Sequence, residues 1–189
     1  MLYLKNKKSS GCGCLLSLAF AFLLLFFLFF LPSFKGTQKN IQSKEEFLVT
    51  YAPLAQKVAK TYGLYSSMVL GQAALESNFG KSQLSREGNN YFGIKAKKGE
   101  GLVLKTREVE GGQDVYKEES FASYWSPAAS FKAYGKLLGE APRYEKVRQA
   151  KSLDEALSLL HPTGYSTDPR YGQMVKRIID QYDLTKYDE

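Results

Sequence analysis

With 189 residues, 26 of them Lys or Arg against 19 Asp or Glu, the chain has room for one domain or at most two and a formal charge of +7. Setting aside the four lysines of residues 1–36 leaves 22 basic residues against 19 acidic ones, a net of +3. That mild excess suits an anionic polymer or a membrane surface, and without a clustered basic stripe it excludes a nucleic-acid binder.

The first segment, "MLYLKNKKSSGCGC", carries Lys5, Lys7 and Lys8 and no acid, and leads into Leu15 to Leu31, whose only polar side chain is Ser17. This apolar run exceeds the roughly 7 to 15 residues of a signal-peptide core and reaches the lower end of the about 17 to 25 that a spanning helix needs. No small-residue cleavage pattern follows, only "PSFKG". The sequence therefore predicts a cytoplasmic segment over 1–14 and an uncleaved single-pass anchor over 15–32, with a cleaved signal peptide as the alternative. Lysines before the span place the N-terminus in the cytoplasm and the rest of the chain outside. Cys12 and Cys14 both precede the span, so the exported part has no thiol for a disulfide, a metal or a nucleophile.

Residues 33–43, "SFKGTQKNIQS" after Pro32, are polar and unpatterned and are expected to be a linker; 44–185 then predict one domain. Ser43 with Glu46 forms a capping box that opens a helix with apolar positions Phe47, Leu54, Ala55, Val58, Ala59 and Tyr62, stopping at Gly63. Pro53 is expected to bend or restart it. A second helix, from about Ser66 to Ser77, is apolar nearly all round and belongs in the core. Gly80 to Lys98 is loop-like, and two short runs around Gly111-Gly112 signal a hairpin. Ser126 and Pro127 start a third helix and Ser152 with Glu155 a fourth. Asp168 and Pro169 are expected to open a last one, with Met174, Val175, Ile178, Ile179 and Tyr182 on its buried side. The sum is a mainly helical α+β fold with a small β-hairpin lobe.

Glu76 is the residue around which chemistry gathers. It ends a helix that offers Met68, Val69, Leu70, Ala73, Ala74 and Leu75 to a core, so the carboxylate emerges at the rim of an apolar wall. Full desolvation can raise a carboxyl pKa by about 3 to 5 units, and the partly negative helix end pushes the same way by less. A carboxyl that keeps its proton near neutral pH is a general acid for a glycosidic oxygen. The alternative is an ordinary ion pair with Lys81 or Arg86. His161, the only histidine, supports neither a triad nor a metal set, and Trp125 before its helix is expected to pack. Phosphate loops, dinucleotide fingerprints and zinc spacings are absent, so no cofactor and no metal are expected.

Three blocks in order, "GQAALESNFGKSQL" from Gly71, "NNYFGIK" from Asn89 and "TGYSTDPRY" from Thr163, resemble the bacterial endo-β-N-acetylglucosaminidases of the glycoside hydrolase family 73 type, autolysins and flagellar-type muramidases with a lysozyme-like fold. The similarity covers about residues 44 to 184. Gly71 departs from the alanine usual in the family. The resemblance implies that Glu76 is the general acid and that "NNYFGIK" lines the sugar cleft. There Asn89 and Asn90 would shape a turn, with Tyr91, Phe92 and Lys95 near the substrate; core packing is the alternative for the aromatics. It further implies that a tyrosine of the "GY.TDP" segment faces the acid, which points to Tyr165, and that the hairpin glutamate of "TREVEGG" is Glu108. Glu110 shares a strand face with Glu108, so register leaves both open as a second carboxylate. Either could activate water in an inverting reaction at a separation of about 6.5 to 9.5 Å, and otherwise the substrate's 2-acetamido group could be the nucleophile.

The expected function is a membrane-anchored peptidoglycan hydrolase, acting as a monomer on glycan strands and cutting the β-1,4 bond after N-acetylglucosamine. Lytic transglycosylase and non-catalytic wall-binding protein are the alternatives.

Overall fold

The computed structural model describes residues 43–110 and 113–188, with side chains for all of these except 106–116. The expected cytoplasmic segment, anchor and nearly all of the linker lie outside the described residues. Among those described, no helix is long and apolar enough to cross a membrane.

Helix α1 (Lys44–Tyr62) starts where the capping box predicts: the Ser43 hydroxyl accepts the Glu46 N–H at 3.0 Å, and Glu45 and Glu46 sit in the partly positive first turn. It ends on Gly63, whose left-handed φ of 68° lets its N–H close on the Ala59 carbonyl. Pro53 does not restart the helix, which is continuous through it. Val49, whose carbonyl loses its partner there, and Pro53 are both exposed, so solvent can serve the freed group.

Helix α2 (Ser66–Glu76) has every residue from Ser66 to Ala74 buried and is the central post of the fold. Its first turn has no local side-chain cap. Asp188 supplies one from the far end of the chain, accepting the Ser67 N–H at 2.8 Å and its hydroxyl at 2.6 Å. Helix α3 (Gln83–Gly88) follows, capped by Ser82.

Strands β1 (Leu102–Glu110) and β2 (Gln113–Phe121) pair antiparallel, from Leu102 opposite Phe121 to Glu110 opposite Gln113. Gly101 makes the close entry possible: at φ 71°, a Cβ there would stand 2.1 Å from the Phe121 carbonyl oxygen. The loop before the hairpin grips its base, with Ala96 N–H donating to the Ser120 carbonyl and Ala122 N–H to the Ile94 carbonyl, both at 2.9 Å.

Helix α4 (Pro127–Glu140) begins with Ser126 accepting the Ala129 N–H. After a 3-10 turn (Pro142–Tyr144) come α5 (Glu145–Arg148), α6 (Leu153–Leu159) capped by Ser152, α7 (Tyr171–Gln181) and a closing 3-10 turn (Leu184–Tyr187). The expected start of the last helix at Asp168 is corrected: α7 begins at Tyr171 with no side-chain cap. Asp168 instead shapes the preceding turn, its Oδ1 accepting the Arg170 N–H at 2.8 Å while Arg170 Nη2 donates to Oδ2 at 3.0 Å.

Tyr171, Val175 and Ile179 recur at one helical face and turn α7 onto α2. A Cβ at Gly71 would come within 3.1 Å of both Val175 and Ile179, so glycine lets these helices sit closer than alanine would. Between α1, α4 and the loop after α3 lies an aromatic core. Tyr51 stacks on Phe131, Phe92 stacks on Tyr134 at 4.1 Å, and the Tyr51 and Tyr91 hydroxyls share a 2.7 Å hydrogen bond. Trp125 departs from the packing expected of it and is 76% exposed.

Candidate active site

Glu76 occupies the last turn of α2, and the chain beyond it turns away at once. Asn78, Phe79 and Gly80 are three consecutive left-handed residues, at φ 49°, 54° and 76°. For Phe79 such a conformation is strained by about 1 to 2 kcal/mol. Burial of its ring against Phe47 and Tyr182 holds it there, as does its N–H bond to the Ala74 carbonyl. Buried Ser77 locks the corner, its hydroxyl donating to the Ala73 carbonyl at 2.6 Å and accepting the Gly80 N–H at 2.8 Å. The result is a helix end left open, with Glu76 exposed on it.

The carboxyl is held by a directed chain of hydrogen bonds. Tyr134 Oη donates to Gln72 Oε1 at 2.5 Å, Gln72 Nε2 donates to Tyr171 Oη at 3.2 Å, and Tyr171 Oη donates to Glu76 Oε1 at 2.7 Å. Gln72 and Tyr134 are fully buried and Tyr171 nearly so. Because the amide N–H fills the Tyr171 acceptor position, its proton is aimed at the carboxylate. Oε2 faces Gly93, where a Cβ would lie 3.8 Å away, and among the described residues no hydrogen bond engages it.

Desolvation by the crowded surroundings pushes the Glu76 carboxyl above its ordinary value, and the Tyr171 hydrogen bond, which favours the charged form, pulls it partly back. Solvent still reaches the residue, which tempers that rise. The Tyr171 hydroxyl is itself pushed up by burial first and by the neighbouring carboxylate second, so it donates rather than ionises. This arrangement can hold a proton on the open oxygen, release it to an acceptor beside it, and stabilise the carboxylate that remains.

Of the other residues expected at the site, Tyr165 lies beside it without touching Glu76. Its ring is 5.4 Å from that of Tyr171, and its buried hydroxyl has no hydrogen-bond partner among the described residues. Tyr171, six residues further along the same block, makes the hydrogen bond to Glu76. Tyr91 and Phe92 are both buried, the packing that was the alternative to a sugar contact, with Tyr91 bonded through its hydroxyl to Tyr51 and through its N–H to Ser130. Asn90 is buried as well. Its Nδ2 donates to the Ile94 and Ala122 carbonyls, both at 2.9 Å, and its Oδ1 accepts the Phe92 and Ile94 N–H groups, so the side chain staples the loop. Asn89 takes the left-handed cap of α3 and donates to the Tyr124 carbonyl.

Lys95 is exposed on the hairpin base, paired with Glu119 at 3.1 Å and lying over the Phe121 ring. Glu108 and Glu110 stand on β1 opposite Val115 and Gln113, with side chains outside those described. Among the described residues no cluster of three or more His, Cys, Asp or Glu could hold a metal.

Among the described residues, a carboxyl at the end of a buried helix, in a mainly helical body with one hairpin, fits a lysozyme-like domain. The chain belongs to the glucosaminidase family, described as mannosyl-glycoprotein endo-beta-N-acetylglucosaminidase, which matches residues 52–184. A probable N-acetylmuramidase of Lactococcus lactis subsp. lactis is 40% identical over 159 residues, covering 80% of this chain and 36% of the relative. The exo-glucosaminidase LytG of Bacillus subtilis is 31% identical, over 80% of this chain and 56% of its own. This chain thus spans about a third to a half of the length of the curated relatives it matches. Among solved structures, the catalytic domain of the autolysin Auto from Listeria monocytogenes superposes with a TM-score of 0.68 at 26% identity, over 95% of this chain and 100% of that one. A glycoside hydrolase domain of Salmonella typhimurium FlgJ superposes at 0.60 with 31% identity, over 75% and 98%.

Proposed function

We propose that the chain is a peptidoglycan hydrolase that cleaves the β-1,4 bond between N-acetylglucosamine and N-acetylmuramic acid, with Glu76 as its general acid. The observation that carries this is the Glu76 carboxyl itself, raised by desolvation yet open on Oε2 while Tyr171 holds Oε1. In the reaction the Oε2 proton passes to the glycosidic oxygen as the C1–O bond breaks. The electron pair of that bond leaves with the departing sugar, and positive charge builds on the anomeric carbon. Water then adds at C1. Its proton goes either to a hairpin carboxylate, Glu108 or Glu110, or back to Glu76 after the 2-acetamido oxygen has first closed on C1. Throughout, the Tyr171 hydrogen bond strengthens as Glu76 becomes negative, so it favours the transition state over the ground state.

The expected anchor over 15–32 would hold this domain outside the cell. Over the linker of residues 33–43, reach is limited to roughly 3.3 to 3.6 Å per extended residue, which favours glycan near the bilayer.

Mass spectrometry of fragments released from purified peptidoglycan tests the proposal. Reducing N-acetylglucosamine ends are expected. Reducing N-acetylmuramic ends would move the cut to the bond that the name of the Lactococcus relative implies, and 1,6-anhydro ends would make the enzyme a transglycosylase. Release by Glu76→Gln equal to wild type would remove Glu76 from the mechanism.

A further inference from the structure

A groove of about 540 Å³ separates α1 from the start of α4 and shares no lining residue with the Glu76 cluster. Its lining includes the apolar Leu54, Val58, Tyr62 and Phe131, with Trp125 among the lining residues. The indole is 76% exposed, whereas the other exposed large hydrophobics among the described residues, Val49 and Val103, lie outside the groove. Leaving so large a ring in water forgoes most of its burial energy, so its exposure beside a ready-made groove marks a place to be covered.

The charge around the groove says what covers it. Lys57 on α1 and Lys132 and Lys136 on α4 line it and are exposed, and no acidic residue does. Lys136 reaches Glu140 only at 3.8 Å, and Lys57 and Lys132 have no carboxylate partner among the described residues. The occupant should therefore combine a flat C–H face to lie on an indole with negative charges spaced along a chain. A bilayer asks for a protruding apolar surface, and this one is concave, so a polymer strand fits better than a membrane.

We propose that the α1/α4 groove is a second glycan-holding site, in which Trp125 stacks on a sugar ring and the three lysines pair with stem-peptide carboxylates of peptidoglycan. The site keeps hold of the wall while Glu76 acts on individual bonds. It rests on peptidoglycan as substrate and not on which bond is cut.

Co-sedimentation with peptidoglycan sacculi stripped of phosphate polymers tests it, using the full chain in detergent and a Glu76→Gln background so that the wall stays intact. Trp125→Ala should weaken retention about tenfold, the scale of losing one well-seated tryptophan anchor. Lys57→Gln with Lys132→Gln should weaken it and flatten its salt dependence, since exposed charge pairs are screened. Circular dichroism melting should be unchanged for both variants, because none of the three side chains is buried. Retention unaffected by Trp125→Ala overturns the proposal. So does loss confined to phosphatidylglycerol vesicles, which would make the groove a membrane contact. A wild-type enzyme that pellets with the wall yet releases no fragments would instead defeat the hydrolase assignment and leave the groove standing.

Discussion

At the scale of single residues, Glu76 ties activity to stability with opposite signs. Its folded-state pKa is raised, so the native state binds this proton more tightly than the unfolded chain does. Stability is then full below the ordinary carboxyl value and falls as pH rises from there through the folded pKa. Glu76→Gln, which stays neutral and can still accept from Tyr171, is expected to melt above wild type at pH 7. The gain should vanish in acid, while turnover of peptidoglycan drops by about 10²- to 10⁴-fold. Calorimetry at two pH values beside a fragment-release assay checks both halves. A lower melting temperature at pH 7 would mean that the carboxylate is stabilised rather than strained.

Tyr171→Phe acts on the same proton from the other side. It removes the one interaction that lowers the Glu76 pKa, so the alkaline limb of the activity profile should move to higher pH. Maximal turnover should fall, because the ionised acid loses its donor. A limb that moves to lower pH, or stays, would show that the bond is not made to the carboxylate during turnover.

At the scale of elements, what was legible in the sequence was local and what was hidden was tertiary. Ser43 with Glu46, Ser126 with Pro127 and Ser152 with Glu155 each mark a helix start that the structure contains, because a cap is a contact between residues three apart. Glu76 could be singled out because its own helix makes the wall behind it. The partner of Glu76 could not, since Tyr171 arrives from 95 positions away. A usable signal did exist: Tyr171, Val175 and Ile179 fall on one face, which places the tyrosine on the stripe that packs against α2. Tyr91 looked like a surface aromatic in a polar block, yet hydroxyl and amide partners on α1 and α4 let it bury without an orphaned polar group.

Asp188 is the same lesson at a helix end. Nothing near Ser66 caps α2, and the acceptor comes from 121 residues on. Asp188→Ala is expected to cost about 1 kcal/mol of unfolding free energy, the usual worth of an N-cap. Because α2 ends on Glu76, the same variant should also lower turnover slightly. Urea melts of Asp188→Ala and Asp188→Asn, with asparagine recovering most of the loss, check it.

At the scale of the whole domain, the hairpin is attached rather than embedded. Among the described residues, hydrogen bonds and an ion pair join its base to the body, through Ile94, Ala96, Gly99 and Lys95 onto residues 119 to 122. A two-stranded hairpin is marginal on its own, so the β1 and β2 amides beyond Lys105 should exchange with solvent well before those of Val69 and Leu70 in α2. If the arm adds little to stability, it can be cut back. Replacing residues 107–116 with Asn-Gly joins Thr106 to Lys117, which already face each other, through a turn suited to the strand twist. The melting temperature should fall by no more than about 2 to 4 °C, the shift produced by 1 kcal/mol in a domain of this size. Activity discriminates between the two fates of the water proton. A loss of about 10²-fold or more would place the base on the arm, at Glu108 or Glu110. Turnover within a few-fold of wild type would leave the acetamido group as nucleophile and Glu76 as both acid and base.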